Sequence, residues 1–377
     1  MLIFAAILAI FVYGMIAAML GTILPDLSNR FKLTPAQNGT IALSQALGLT
    51  IASVGVGPLL DSQGDKIGLL LGLILIAVVL FSLPRSGGYR SIVFLLFVLG
   101  VGGGIVVTGA NALVSGVSEA HRATALNLVN LFFGLGGFAT PFLSANLLKK
   151  NSYRLCYTIA VFTVVALAVQ AATHMPAPTG GGGFVFAQVG PILGKPLLFL
   201  LGAFLFLYVS CEVGVWNWLP RHLIAQGIPE SRALNILSLG FALGLLVGRV
   251  GVAPILIHAP AVEVTLAASI AMAVTTLLML RTNNPTAAAV LVFLAGVSMA
   301  PVFPTTLAIA GTAFPSLPGT AIGFVITCGW AGLVVSSRII GSIAGDDPAR
   351  LRKALLLIPG SSILMIGLNV AIWSALK

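Results

Sequence analysis

The chain has 377 residues, of which 58% are hydrophobic and only 7% charged, and its formal net charge is +10. Soluble domains carry about 25% charged residues, so this chain lacks the polar surface that a water-soluble body of its size needs. Lipid must solvate most of it, which makes it a polytopic membrane protein. Its Lys and Arg residues are scattered over short loops with no basic block, which argues against a nucleic-acid partner.

Runs of about 20 apolar residues, enough to cross a bilayer as helix, occur twelve times. They are approximately 1–24, 37–60, 67–83, 91–115, 122–147, 155–174, 196–219, 231–251, 261–280, 286–310, 319–343 and 354–375. The first lacks the basic n-region of a cleavable signal and is read as a span, with Tyr13 midway. The second carries Gln45. The fourth carries Thr108 and Asn111, one turn apart, and a GVGGG run at 100–104. That run follows no strand pattern, so it is not a nucleotide loop. The fifth carries Asn127 and Asn130, then "GLGGFATP" at 134–141, small residues suited to close helix contact around a proline kink. After the sixth, "MPAPTGGGGFVFAQVGPILGK" (175–195) reads as a cytoplasmic linker, dividing the chain into six-helix halves at 1–174 and 196–377. In the second half Arg249 sits near the end of the eighth span. Phe303 and Thr306 flank Pro304 in the tenth, and Trp330 and Arg338 lie in the eleventh. Cys156, Cys211 and Cys328 all fall inside apolar runs, as small hydrophobes do.

A repeat supports the division. Shifted by 196 residues, Leu95, Phe97, Gly100, Val101 and Ala112 meet Leu291, Phe293, Gly296, Val297 and Ala308. In the same register Thr124, Ala125, Val129 and Gly136 meet Thr320, Ala321, Val325 and Gly332. Parallel six-helix repeats are one way secondary transporters are built.

The seventh span ends in "YVSCEVGVWNWLP" (208–220), which carries the one acid deep within a span. A charge there costs about 2.5–3.5 kcal/mol on insertion scales, so Glu212 should face a cavity or a partner. Tyr208, Glu212 and Trp216 follow i, i+4, i+8 spacing and share one helical face. Rings with a carboxylate and an amide, Asn217, suit a sugar, whose C–H faces pack on aromatics while its hydroxyls need fixed donors and acceptors. The alternative is a Glu bonded to a neighbouring helix, with Trp216 and Trp218 in an interfacial belt. Gly214 and Pro220 would allow the helix to bend or break.

The "GPLLDSQGDK" segment (57–66) resembles the cytoplasmic signature of the major facilitator superfamily. Gly57, Asp61, Gly64 and Lys66 fit that pattern, whereas Ser62 and Asp65 stand where basic residues are usual. Asp61 at a helix end can pair with a basic group or with another helix terminus and so latch one conformation. Further segments resemble the fucose–glucose–hexose permease branch: "ILPDLSNRFKLTPAQNG" (23–39), "GANALV" (109–114), "ALNLVNLFFGLGG" (125–137), "YVSCEVGVWNWLP" and "APVFPTTLAIAGTAFP" (300–315). The resemblance implies two pseudo-symmetric bundles of six transmembrane helices that move a small sugar by rocker-switch alternating access. The polar and aromatic residues within the spans form the expected substrate set, Glu212, Trp216, Asn217, Tyr208, Asn130, Asn127, Asn111, Gln45, Tyr13, Phe303 and Trp330. For each of those outside the Glu212 face, interhelical packing or hydrogen bonding is the alternative role. Asn130 matches a sugar-contacting amide of that branch. Gating falls to Asp61, Gly57, Gly64, Lys66 and Arg249.

Coupling does not carry over. Proton-driven fucose permeases hold acids in the first and fourth helices, where this chain has Gly21 and Val107. Glu212 is left to accept a proton, to ligate Na⁺ or simply to bind a hydroxyl; with no coupling ion the protein would be a facilitator. No other cofactor is expected, the substrate is expected to be a monosaccharide, and the state monomeric. The superfamily pattern places both termini in the cytoplasm of a bacterial inner membrane. The positive-inside rule points the other way. In that orientation Lys66, Arg122, Lys195, Arg249 and Lys377 face inward. Arg30, Lys32, Arg85, Arg90, Lys149, Lys150, Arg154, Arg221, Arg232, Arg281, Arg350, Arg352 and Lys353 face outward. The motif is given precedence. Rival readings are an exporter of amphipathic drugs or lipids and a non-transporting receptor. The histidines, His121, His174, His222 and His258, are too dispersed to suggest an enzyme.

Overall fold

A computed structural model describes residues 1–117, 119–148, 151–175, 186–345 and 347–377. Among them, twelve helices are long and apolar enough to cross a bilayer. They are α1 (Leu2–Phe31), α2 (Ala36–Gln63), α3 (Asp65–Arg85), α4 (Tyr89–Val117), α5 (Arg122–Asn146), α6 (Ser152–Ala172), α7 (Pro196–Ala225), α8 (Glu230–His258), α9 (Ala261–Arg281), α10 (Pro285–Ala313), α11 (Pro318–Ala344) and α12 (Ala349–Leu376). Each coincides with one of the twelve apolar runs. The fold is all-helical.

Local chemistry sets the helix ends. The second helix opens with a capping box, in which the Thr34 hydroxyl accepts from the Gln37 N–H and the Gln37 side chain accepts from the Thr34 N–H. Asn151 and Asn284 accept from first-turn amides of α6 and α10. Gly64, at φ 88°, lets the chain reverse directly from α2 into α3.

Three helices outrun their expected ends by six or seven residues: α1, which continues to Phe31, α7 and α8. The seventh was expected to stop at Leu219, with Gly214 and Pro220 allowing a bend or break. It instead runs unbroken for 30 residues to Ala225. A proline forfeits one backbone bond but need not end a transmembrane helix. The stop comes at Gln226 and Gly227, the latter at φ 85°. Glu212 therefore sits about 20 Å from the C-terminal end, at 1.5 Å per residue, close to mid-helix. Likewise α8 reaches His258, so Arg249 lies two and a half turns inside it. Within α8, residues Ile236–Ala242 form a π-helical segment. The expected linker contains a short helix, Phe186–Leu193. Its Gly run at 180–183 lies outside the described residues, as do Lys149 and Lys150.

The repeat extends to helix boundaries. Helices α3 and α9 start and end 196 residues apart (65 and 261, 85 and 281), as do α4 and α10 (89 and 285, 117 and 313). The chain forms two compact units. The first comprises Met1–Arg122, Val129–Ile192 and Phe314–Thr327, and the second Ala123–Leu128, Leu193–Ala313 and Cys328–Lys377. In the first unit α4 packs on α1, α2 and α3, and α6 on α1 and α3. In the second, α10 packs on α7, α8 and α9, and α12 on α7 and α9.

The glycines explain part of this equivalence. A β-carbon on Gly48 or Gly100 would overlap the backbone carbonyl of Phe97 or Gln45, across the α2–α4 contact. At their shifted counterparts, a β-carbon on Gly244 or Gly296 would overlap the carbonyl of Phe293 or Phe241, across α8–α10. Gly136 meets the Phe11 carbonyl, and its counterpart Gly332 meets that of Phe206. Small residues let membrane helices approach to backbone contact, where dispersion and packing hold them. The same residues repeat because the same contacts do.

Candidate functional site

In the second unit, the face predicted on α7 exists as a polar cluster. Tyr208 is fully buried and Trp216 is 37% exposed, with Glu212 half-buried between them. The Tyr208 hydroxyl approaches the Glu212 carboxylate without completing a well-formed hydrogen bond, and the Trp216 indole also lies beside it. From α8, the positive charge of Arg249 acts on Glu212, and Arg249 is only 5% exposed. The acid is thus electrostatically compensated across two helices. A lone buried carboxylate would be far more costly than one facing a cation.

The π-helical segment completes this corner. It brings Phe241 edge-on to Trp216, with centroids 5.2 Å apart and planes at 79°, a favoured aromatic geometry. Single π turns inside α-helices frequently mark functional sites. The sequence reading missed Phe241, although the 196-residue shift sets it opposite Gln45, which that reading did select. It also left Arg249 unconnected to Glu212, since no spacing rule links residues on different helices.

Other predicted site residues are placed variously. In the first unit, the Asn130 amide donates to Asn111 Oδ1 at 2.7 Å, and Asn111 donates to the Val107 carbonyl at 2.7 Å. Both asparagines are buried, so α4 and α5 share a continuous amide chain. Tyr13 is also buried and stacks on Phe133 at 5.3 Å. Gln45 is half-buried. In the second unit, Asn127 donates to the Thr305 hydroxyl at 3.0 Å and to the Ala123 carbonyl at 2.9 Å. Thr305 was not foreseen; only its neighbours Phe303 and Thr306 were. Phe303 and Trp330 are half-buried. Asn217 is exposed and donates to the Ser337 hydroxyl at 3.3 Å, so it turns away from the Glu212 face. Arg338 is exposed six residues before the end of α11, where its stem can carry the charge to the interface.

Of the residues expected to gate, Asp61, Gly57, Gly64 and Lys66 lie in the first unit, where Asp61 makes a defined contact, and Arg249 lies in the second. Asp61 is 3% exposed. Its Oδ1 accepts from the Gly319 N–H at 2.8 Å, and its Oδ2 from the Thr320 N–H at 2.7 Å and the Thr320 hydroxyl at 2.6 Å. These donors are the first turn of α11, where orphan amides and the helix dipole favour a negative charge. Of the two partners open to Asp61, the helix terminus is the one observed. Gly57 clears the path, since a β-carbon there would press on the backbone of Gly319 and Thr320 at 2.6 Å. Lys66 donates to the carbonyls of Ala171 and Thr173 at 2.8 and 2.9 Å, capping the end of α6.

The second unit holds the shifted counterpart. Thr124, which the repeat pairs with Thr320, donates to the Ala253 carbonyl at 3.2 Å. Ala253 occupies the position of Gly57, and Ile257 that of Asp61. Around it Val252, Leu256 and Val264 pack with Ala123 and Ala259. The acidic contact of one unit is an apolar contact with a single hydroxyl bond in the other.

Comparison with known proteins agrees with this architecture. The glucose/mannose transporter GlcP of Bacillus subtilis is 23% identical over 96% of this chain and 92% of its own length. A gentisate transporter of Corynebacterium glutamicum is 26% identical over 85% of this chain and 76% of its own. The crystal structure of a point variant of the Escherichia coli fucose:proton symporter FucP has a TM-score of 0.85 at 17% identity, covering 98% of both chains. The family model described as Major Facilitator Superfamily matches residues 6–337. The chain belongs to the Major Facilitator Superfamily and is a multi-pass integral membrane transporter.

Proposed function

We propose that this transporter carries a monosaccharide or a similar small polyol by alternating access, with Glu212, Trp216 and Tyr208 as the core of its binding site. The observation that carries the reading is the compensated cluster on α7 and α8. It offers an acceptor carboxylate, a guanidinium and a partly exposed indole braced by Phe241. Glu212 and Arg249 together have no net charge, which suits a neutral, hydroxyl-rich ligand. The near-full-length relation to a glucose/mannose transporter supports it. Asn111, Asn130, Asn127, Gln45, Tyr13, Phe303 and Trp330 supply further polar and aromatic groups, and Asn217 a peripheral amide.

Glu212 is the proposed point of coupling or substrate binding, and Asp61, Gly57, Gly64 and Lys66 form the conformational latch. The protein works in a bacterial inner membrane as a monomer. A second reading is transport of an aromatic carboxylate, favoured by the relation to the gentisate transporter and by the buried Arg249. The cancellation of that cation by Glu212 weighs against it, because a carboxylate ligand needs an uncompensated positive charge. The test is uptake of labelled hexoses, polyols and gentisate into proteoliposomes, with and without a pH or Na⁺ gradient. Saturable hexose uptake supports the proposal. Gentisate uptake without hexose uptake refutes it.

A further inference from the structure

An open groove of about 380 Å³ runs between α8 and α10 in the second unit. Its walls are apolar, formed chiefly by Leu239, Gly240, Val290 and Phe293, while Arg232 and Asn235 stand at one end. That end lies at the helix starts, since α8 begins at Glu230 and α10 at Pro285. Its lining reaches Phe293, about 12 Å along α10 from the helix start at Pro285, at 1.5 Å per residue. The polar mouth is therefore at headgroup level and the apolar floor at acyl-chain level.

Two features make this more than a seam between helices. The first is the π-helical segment Ile236–Ala242, within which Leu239 is 68% exposed beside the buried Gly240. The second is an internal control supplied by the repeat. In the first unit the equivalent helices are α2 and α4, and α2 is α-helical throughout. There Ala36 and Gly39 replace Arg232 and Asn235, and Phe94 replaces Val290. The Arg232–Asn235 pair on the first of the two helices therefore has no polar counterpart at the same positions of the first copy, where the exposed cation is instead Arg90 at the start of α4.

We propose that this groove is a binding site for one anionic phospholipid, with its phosphate at Arg232 and Asn235 and an acyl chain along Leu239, Gly240 and Phe293. Charge complementarity selects the occupant: a guanidinium at an interface attracts anionic headgroups, and it binds phosphate in a fork. A free phosphate would leave the apolar floor empty. The neighbouring Trp216–Phe241 contact begins one residue beyond Gly240, so the lipid would brace the segment that positions the indole.

The experiment compares the intact chain with Arg232→Gln and Val290→Trp, in nanodiscs of phosphatidylcholine alone and of phosphatidylcholine with phosphatidylglycerol. Retained lipid is read by native mass spectrometry after detergent extraction. Both positions are exposed, so thermal unfolding should show both variants folded. The parent should keep phosphatidylglycerol in preference to phosphatidylcholine. Retention should fall about fivefold in Arg232→Gln, the worth of one interfacial basic residue, and at least as far in Val290→Trp. Equal retention of the two lipids, or phosphatidylglycerol retention unchanged in both variants, overturns the proposal. So does a parent dimer that either variant dissociates, which would give the groove to a second copy. None of these outcomes depends on which solute is transported.

Discussion

Asp61 and Thr320 are joined twice, through the backbone amide at 2.7 Å and the side-chain hydroxyl at 2.6 Å, both to the same carboxylate oxygen. The residues are 259 apart in sequence, yet both lie in the first unit. The start of α11 is thereby fixed to the end of α2 by charge-assisted bonds at a helix N-terminus.

Asp61→Asn keeps the shape and removes the charge. Bonds to a charged group are worth about 1.5–3 kcal/mol each, so the contact should open at least about tenfold more often. Leu317, 5% exposed at this junction, reports it: a cysteine at 317 should label with a hydrophilic maleimide about tenfold faster when Asp61→Asn is added. Unchanged labelling would show that the carboxylate does not hold α11.

Thr320→Val and Thr124→Val test the asymmetry between repeats. The first removes a hydroxyl from a carboxylate and should cost about 1.5–3 kcal/mol, whereas the second removes one from a neutral carbonyl and should cost about 0.5–1.5 kcal/mol. Thermal unfolding in detergent should show the larger drop for Thr320→Val. Equal drops would mean that the two contacts are energetically alike.

Glu212 and Arg249 should behave as a coupled pair. Removing one partner of a buried pair costs about 3–5 kcal/mol, and the partial exposure of Glu212 places this pair at or below the lower figure. Arg249→Gln should destabilise the protein, and Glu212→Gln added to it should restore part of the loss. Additive losses in the double variant would sever the pair.

Gly100→Ala and Gly296→Ala should each be destabilising by about 1–3 kcal/mol, as overpacking is, because each added methyl group meets a backbone carbonyl of the facing helix. Similar falls in Tm are expected at the two positions. A neutral result at either would break the equivalence of α2–α4 with α8–α10.

These relationships were unevenly legible in the sequence. The twelve spans follow from apolar run length, and the repeat from Phe97, Gly100, Thr124 and their partners, because backbone contact tolerates few residue types. The shared face of Tyr208, Glu212 and Trp216 follows from helical periodicity. The unbroken course of α7 through Pro220 does not, since a proline's effect depends on what else supports the helix. The π turn that presents Phe241 has no local signature. The choice by Asp61 of a helix terminus over a cation, and the facing of Arg249 and Glu212, are tertiary facts that spacing along one helix cannot encode.

The most direct test of the sugar-transport proposal is counterflow of labelled hexose in proteoliposomes, comparing the parent with Glu212→Gln. The proposal expects saturable counterflow in the parent, competed by unlabelled hexose and not by gentisate, and largely lost in the folded Glu212→Gln variant. Hexose counterflow that is absent from the parent, or that persists unchanged without the carboxylate, would contradict it.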